Sequence, residues 1–319
     1  MFVCNSVMVR WGRLTPVIRS VRRLCTQPEQ EVIVDKAALS KLRKKTGFPM
    51  MKCKNALAQF NNDIKEAEKW MREMAQKEGW EKAGKLQNRP MSQGLVALLE
   101  VKSSCTLVEV NCETDFVARN EGFQELVVKL AQACHKNFTN GDLQKAVVAK
   151  EELNSLPADG KTLGDLVALT VGNLGENIAL RRAAFLRNDQ DTVISHFVHA
   201  AGPAMTKDGI KLGKFAAAVK LLVPNTEAIA QEVCQHIVGI NPKEIGNWSA
   251  PVQDKKESKK KKQDPGVEDQ PKEVYVEKRL FDQEFLLDSH KTVREYLQSN
   301  GPQVVDFVRL ECGEDLGEE

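Results

Sequence analysis

The chain has 319 residues, with 46 Lys and Arg against 44 Asp and Glu, for a net charge of +2. That length suits two or three domains. The near-neutral balance excludes a strongly basic nucleic-acid binder, and 42% apolar residues exclude a chain disordered throughout. No apolar run approaches the roughly 18 residues that a transmembrane helix needs.

Residues 1–28 hold five Arg (Arg10, Arg13, Arg19, Arg22, Arg23) and no acid, and the first acid is Glu29. The remaining 41 cations against 44 acids leave the rest of the chain at −3. An Arg-rich, acid-free start interleaved with apolar residues reads as a mitochondrial presequence over 1–26, and so predicts a matrix address. The eight cysteines form no C-x-x-C pair. Several fall on apolar helical stripes, which predicts buried free thiols rather than disulfides or zinc ligands.

Residues 35–79 read as a unit of three short helices. Ala38, Leu39 and Leu42 share a face, and Gly47 stops that helix. Cys53, Ala56, Leu57 and Phe60 form the second stripe. Asp63 and Glu66 offer a capping box to a third helix striped by Ile64, Ala67, Met71 and Met74, with Gly79 expected to end it. So small a unit buries little, so its exposed surface is expected to serve in contact. Residues 80–93 read as a polar linker.

The order of elements then repeats. The first half, 94–187, opens with strands Gly94–Val101 and Cys105–Asn111. A helix striped by Phe123, Leu126, Val127, Leu130 and Cys134 follows. The second half, 192–313, opens with strands Thr192–His199 and Gly213–Val223. Its helix, capped by Asn225, carries Ala230, Val233, Cys234 and Ile237. Each half next starts a short helix with Lys-Thr (Lys161-Thr162, Lys291-Thr292), and closes with a strand, Ile178–Leu186 or Val304–Glu311. Each half thus reads β-β-α-α-β. The predicted fold class is α+β, with two antiparallel sheets covered by helices. A Lys-rich insert, 250–272, with six Lys between Lys255 and Lys262, is expected to be disordered, and the acidic tail Glu311–Glu319 to be solvated.

No phosphate-loop, dinucleotide, zincin or nucleophile-elbow motif occurs, so nothing positive points to an enzyme, a metal or a cofactor. His196 and His199, three apart on a strand, face opposite sides and suit no shared metal. A cysteine such as Cys112 remains the only enzymatic alternative. The most informative segment is Glu113-Thr-Asp-Phe-Val-Ala-Arg-Asn120, at a strand-to-helix turn. It sets a carboxylate beside a large apolar ring. On composition, Phe116 staples the turn to the core.

This segment is similar to a signature of the elongation factor Ts family. Leu42-Arg-Lys-Lys-Thr-Gly-Phe-Pro-Met-Met-Lys-Cys-Lys-Asn-Ala-Leu57 and Phe307-Val-Arg-Leu-Glu-Cys-Gly313 resemble other parts of it. With the leader, the resemblance is to the mitochondrial branch and spans about 35–247 and 274–314. It implies a three-helix domain of the ubiquitin-associated kind and a duplicated core. It implies a guanine nucleotide exchange factor that forms a heterodimer with mitochondrial elongation factor Tu, speeds GDP release and lets GTP rebind. The chain itself is expected to bind no nucleotide, membrane or nucleic acid. The resemblance makes Thr114, Asp115, Phe116 and Val117 the segment that enters the partner and disturbs its Mg²⁺ site. It also assigns partner contacts to Met50, Met51 and His236. Gly246–Val274 is too polar for the helical hairpin of bacterial relatives, and Gly202–Ile210 departs from the family's Gly-rich turn. The alternative is a ubiquitin-type binding adaptor, because the 35–79 unit resembles domains that bind ubiquitin.

Overall fold

A computed structural model describes residues 33–86, 89–200, 205–222, 227–249 and 277–317. The expected presequence, the Asn225 cap and the Lys-rich insert lie outside these residues. Three helices come first: α1 (Lys36–Thr46), α2 (Met50–Gln59) and α3 (Ile64–Leu86). Asp35 caps α1 through the N–H groups of Ala37 and Ala38, and Gly47 ends it. Asp63 accepts from Lys65 and Glu66 N–H at 2.8 and 3.1 Å and so starts α3. Leu42, Phe48, Cys53, Ala56, Leu57, Ala67 and Met71 make a small shared core. The third helix runs through Gly79 to Leu86, so residues 80–86 belong to a helix and not to a linker. Neighbouring backbone leaves no room for a side chain at position 79, which is why glycine sits mid-helix.

The first half supplies β1 (Gln93–Val101), β2 (Ser104–Cys112), α4 (Asp115–Ala118), α5 (Glu121–Thr139), β3 (Lys145–Ala149), α6 (Lys150–Ser155), β4 (Pro157–Ala158), β5 (Lys161–Thr162), α7 (Leu163–Leu174) and β6 (Ile178–Arg187). The second supplies β7 (Thr192–His199), β8 (Met205–Lys207), β9 (Ile210–Gly213), β10 (Phe215–Leu222), α8 (Glu227–Ile240), β11 (Glu284–Phe285), β12 (Asp288–Thr292), α9 (Val293–Asn300) and β13 (Val304–Glu311). The two Lys-Thr signals prove equivalent. Thr162 and Thr292 both head capping boxes, closed by Asp165 and Glu295.

The strands form a six-stranded sheet, β3-β6-β2-β1-β9-β8, and a three-stranded sheet, β13-β10-β7, with two small hairpins besides. All the strand pairings are antiparallel. Helices α5 and α7 cover the outer face of the large sheet. Helices α8 and α9 cover the small one. The inner faces meet through Val96, Leu98, Cys105 and Leu107 on one side and Ala216, Ala218, Val308 and Leu310 on the other. Strand β10 is therefore buried on both faces, which explains its Phe-Ala-Ala-Ala-Val run.

Two further expectations are corrected. The strand expected over Gly213–Val223 begins two residues later, at Phe215 of β10, because Gly213 still belongs to β9 and the chain changes sheets there. A Cβ there would meet the His199 carbonyl oxygen at 2.6 Å, so only glycine lets the crossing pass so close. The acidic tail is not simply solvated. Fully buried Glu109 pairs with Arg181 and Arg182 and accepts from Gly313 N–H, and Arg182 also pairs with Glu314 at 2.9 Å. Lys243 and Arg309 reach Glu314 as well. Burial alone would raise the Glu314 carboxyl, but hydrogen bonds from Arg182 and Lys243 outweigh it and hold it down at about 2.

Candidate partner-docking site

Strand β2 is buried along its whole length and emerges at Cys112. The chain must then turn before α5, which Asn120 caps through Gly122 N–H at 2.8 Å. Thr114 opens the turn: its Oγ1 accepts from Val117 N–H at 3.4 Å, and one helical turn, α4, follows. Val117 and Ala118 point into the core. Successive helical residues lie about 100° apart, so burying these two directs Phe116 outward. The ring is 79% exposed. A staple must be covered, so the composition reading of Phe116 fails. The sheet and α5 hold up a solvated aromatic tip instead.

Asp115 lies beside the tip, paired to Arg119 at 2.9 Å with both side chains largely in solvent. Such an exposed pair is worth little, about 0.5 kcal/mol, so the carboxylate is free to change partners. Arg119 is a residue the sequence reading passed over, although its i,i+4 spacing from Asp115 signals the pair. Met50 and Met51 open α2 after Pro49 and are 54% and 64% exposed, while Cys53, Ala56 and Leu57 of the same helix are buried. Two unbranched thioether side chains thus stand in water, a chemistry that can adapt its shape to another surface.

His236 is different, and its assignment to partner contact is corrected. It is fully buried on α8. Its Nδ1 lies 3.1 Å from the Leu286 N–H, which can only donate, so Nδ1 accepts and Nε2 carries the hydrogen. Nε2 then donates to Gln283 Oε1 at 2.9 Å. Burial pushes the ring down to about 4, against the opposing pull of Gln283. His236 brackets α8 to the β11–β12 hairpin. Its spacing of three from Val233 was the available signal that it sits within the apolar stripe.

Cys112 cannot serve as a nucleophile as it stands. It is buried, its thiol donates to Thr114 O, and burial pushes it up to about 12. Cys53, Cys105, Cys134 and Cys234 are likewise buried free thiols. Among the described residues, no helix is long and apolar enough to cross a membrane.

Comparison with known proteins agrees with this architecture. The family model described as Elongation factor TS matches residues 113–314, and that described as Elongation factor Ts, mitochondrial, N-terminal matches residues 21–81. The chain is 42% identical to the protein named Elongation factor Ts, mitochondrial, of Branchiostoma floridae, over 88% of this chain and 90% of that one. It is 40% identical to the Xenopus laevis protein of the same name, over 98% and 96% of the two chains. The Mus musculus counterpart is 37% identical over 97% of each.

Proposed function

Because the chain belongs to the elongation factor Ts family and is mitochondrial, we propose that it is the guanine nucleotide exchange factor of elongation factor Tu in the mitochondrial matrix. The observation that carries this reading is the exposed Phe116 ring on a turn whose next two residues are buried. A rigid, solvated aromatic is a ready wedge.

The mechanism follows from the chemistry of the partner's metal. Mg²⁺ demands near-ideal octahedral oxygen coordination at short distances. A ring pushed between the elements that carry those oxygens displaces them. Asp115, released from Arg119, competes for nearby donors. Once the metal shell is broken, the charge of the GDP phosphates is uncompensated and GDP leaves. Linkage makes the effect reciprocal: the exchange factor weakens GDP binding by the factor by which GDP weakens its own. Chemical catalysis has no part in this scheme. The α1–α3 bundle is read as a ubiquitin-associated-like domain that presents Met50 and Met51 to the same partner, and the two halves are read as a duplication, although the structure adds β3, α6 and the β4–β5 hairpin to the expected β-β-α-α-β order in the first and β8, β9 and the β11–β12 hairpin in the second.

The test is Phe116→Ala, with GDP release from mitochondrial elongation factor Tu and thermal unfolding measured on one preparation. Removing an exposed ring should change stability by no more than about 0.5 kcal/mol. Removing an aromatic hot spot of about 2 kcal/mol should slow exchange about 30-fold. Chelating Mg²⁺ should shrink that gap. A stable Phe116→Ala chain that releases GDP at the full rate would falsify the wedge.

A further inference from the structure

Two consecutive residues outside the Thr114–Val117 turn hold it in place. Helix α7 stops at Gly175 in the left-handed region, φ 83°, and the chain doubles back to bring Glu176 and Asn177 against the turn. The Glu176 carboxylate engages Thr114 Oγ1 at 2.9 and 3.2 Å through its two oxygens. A carboxylate only accepts, so the Thr114 hydroxyl hydrogen is committed to Glu176. The lone pair left over faces Val117 N–H, and that bond sets the start and phase of α4.

Glu113 is held from the same place. Its Oε1 accepts from Asn177 N–H at 2.9 Å, and its Oε2 receives Arg89 at 3.2 Å. Asn177 is only 4% exposed, and its Nδ2 donates to the carbonyl of Leu86, the last residue of α3, at 3.0 Å. The end of the helix that carries the N-terminal bundle is thus two hydrogen bonds from the side chain of Glu113, the residue just before the tip.

We propose that Glu176 and Asn177 are positioning residues for exchange. Glu176 sets the direction of the Phe116 ring through the Thr114 hydroxyl, and Asn177 ties the tip to the bundle bearing Met50 and Met51. This rests on the wedge reading above. Burial of Val117 and Ala118 keeps the turn packed without Glu176. What the carboxylate adds is a fixed orientation, which matters when the ring enters the partner and not when the surfaces first meet.

The experiment compares Glu176→Ala, Glu176→Gln and Phe116→Ala in GDP release from mitochondrial elongation factor Tu, as a function of exchange-factor concentration. Losing one hydrogen bond to a charged group should lower the maximal rate about tenfold in Glu176→Ala, with the half-saturating concentration within about twofold of the parent. Glu176→Gln keeps an acceptor oxygen and should restore most of the rate. Adding Glu176→Ala to Phe116→Ala should slow exchange no further. If Glu176→Ala fails to fold, Thr114→Val, of nearly equal volume, must show the same loss of maximal rate. A Glu176→Ala chain at full rate, beside an inactive Phe116→Ala chain, overturns the positioning role and leaves the wedge standing. So does a loss that tracks the thermal midpoint and that Glu176→Gln does not repair. Full activity in Phe116→Ala overturns both.

Discussion

Gly79 on α3 and Ala168 on α7 meet backbone to backbone: a Cβ on Gly79 would stand 1.8 Å from the Ala168 carbonyl oxygen. The contact is mutual, since a Cβ on Gly172 of α7 would stand 2.1 Å from the carbonyl oxygen of Ala75. Polar groups flank the seam. Gln76 and Trp80 donate to Asp165 at 2.8 and 3.3 Å, and Lys161 donates to Gln76. The same Asp165 closes the capping box of α7.

Gly79→Ala should therefore destabilise the chain. Ala favours a helix over Gly by up to about 1 kcal/mol, but forcing a methyl into this seam costs about 1–3 kcal/mol. Gly84→Ala, in the same helix with nothing within 4 Å of the new methyl, should instead stabilise it. Thermal midpoints of the two variants should move in opposite directions; equal shifts would mean that the seam is not close-packed.

Met50→Ser with Met51→Ser should leave the thermal midpoint nearly unchanged, because both side chains stand in solvent. GDP release should then need more exchange factor to reach half-saturation, while the maximal rate holds. That is the reverse of the pattern expected for Glu176→Ala. An unchanged half-saturating concentration would remove the bundle from the docking surface.

The sequence and the structure agree best where one element settles its own boundaries. Thr192–His199 and Val304–Glu311 are strands at the residues where alternation and β-branching placed them. The stripes of α5 and α8 are buried as their spacing required. Misreadings arose where the cause lies far along the chain. Gly79 looked like a stop because its neighbour, Ala168, is on another helix. His236 looked free because Gln283 and Leu286 come from a distant hairpin. Glu314 looked solvated because its cations stand on β6, on β13 and just beyond α8. The outward face of Phe116 was within reach, since Val117 and Ala118 are the residues a one-turn helix would bury.

Acid should unfold the chain in two windows. His236 has a folded pKa of about 4 against an ordinary 6.5, so below about pH 6.5 the unfolded chain takes up a proton that the folded chain refuses. Stability should fall from there to about pH 4, by roughly 3 kcal/mol from this residue. Burial displaces His135 and His196 in the same direction, so His236→Gln should flatten this window without abolishing it. Glu314 is depressed, so its contribution is complete above about 4.5 and is lost as pH falls toward about 2. Chemical denaturation at stepped pH reads both windows. A slope between pH 6.5 and 4 that His236→Gln leaves untouched would contradict the first.

Glu314→Ala should cost about 1.5–3 kcal/mol, because Arg182 and Arg309 lose the carboxylate they share and keep only those of Glu109 and Glu311 respectively. Truncation after Cys312 should do at least as much, since it also removes the Gly313 N–H from buried Glu109. Urea midpoints of the two chains check this. Parity with the full chain would show that the tail network is ornamental.

Helix α3 spans 23 residues, about 34 Å at a rise of 1.5 Å per residue. On the proposed mechanism it makes a bivalent ligand with no tether. With a flexible tether, the gain from a second contact depends on how much of the time slack chain brings it into reach. Here there is no slack: once Met50 and Met51 have landed, Phe116 arrives at one distance and one angle. Such a caliper cannot adapt to its object. If the proposed wedge is right, a partner that changes shape around fresh nucleotide would no longer fit between both jaws, and the stiffness proposed to pry GDP out would also make the exchange factor let go.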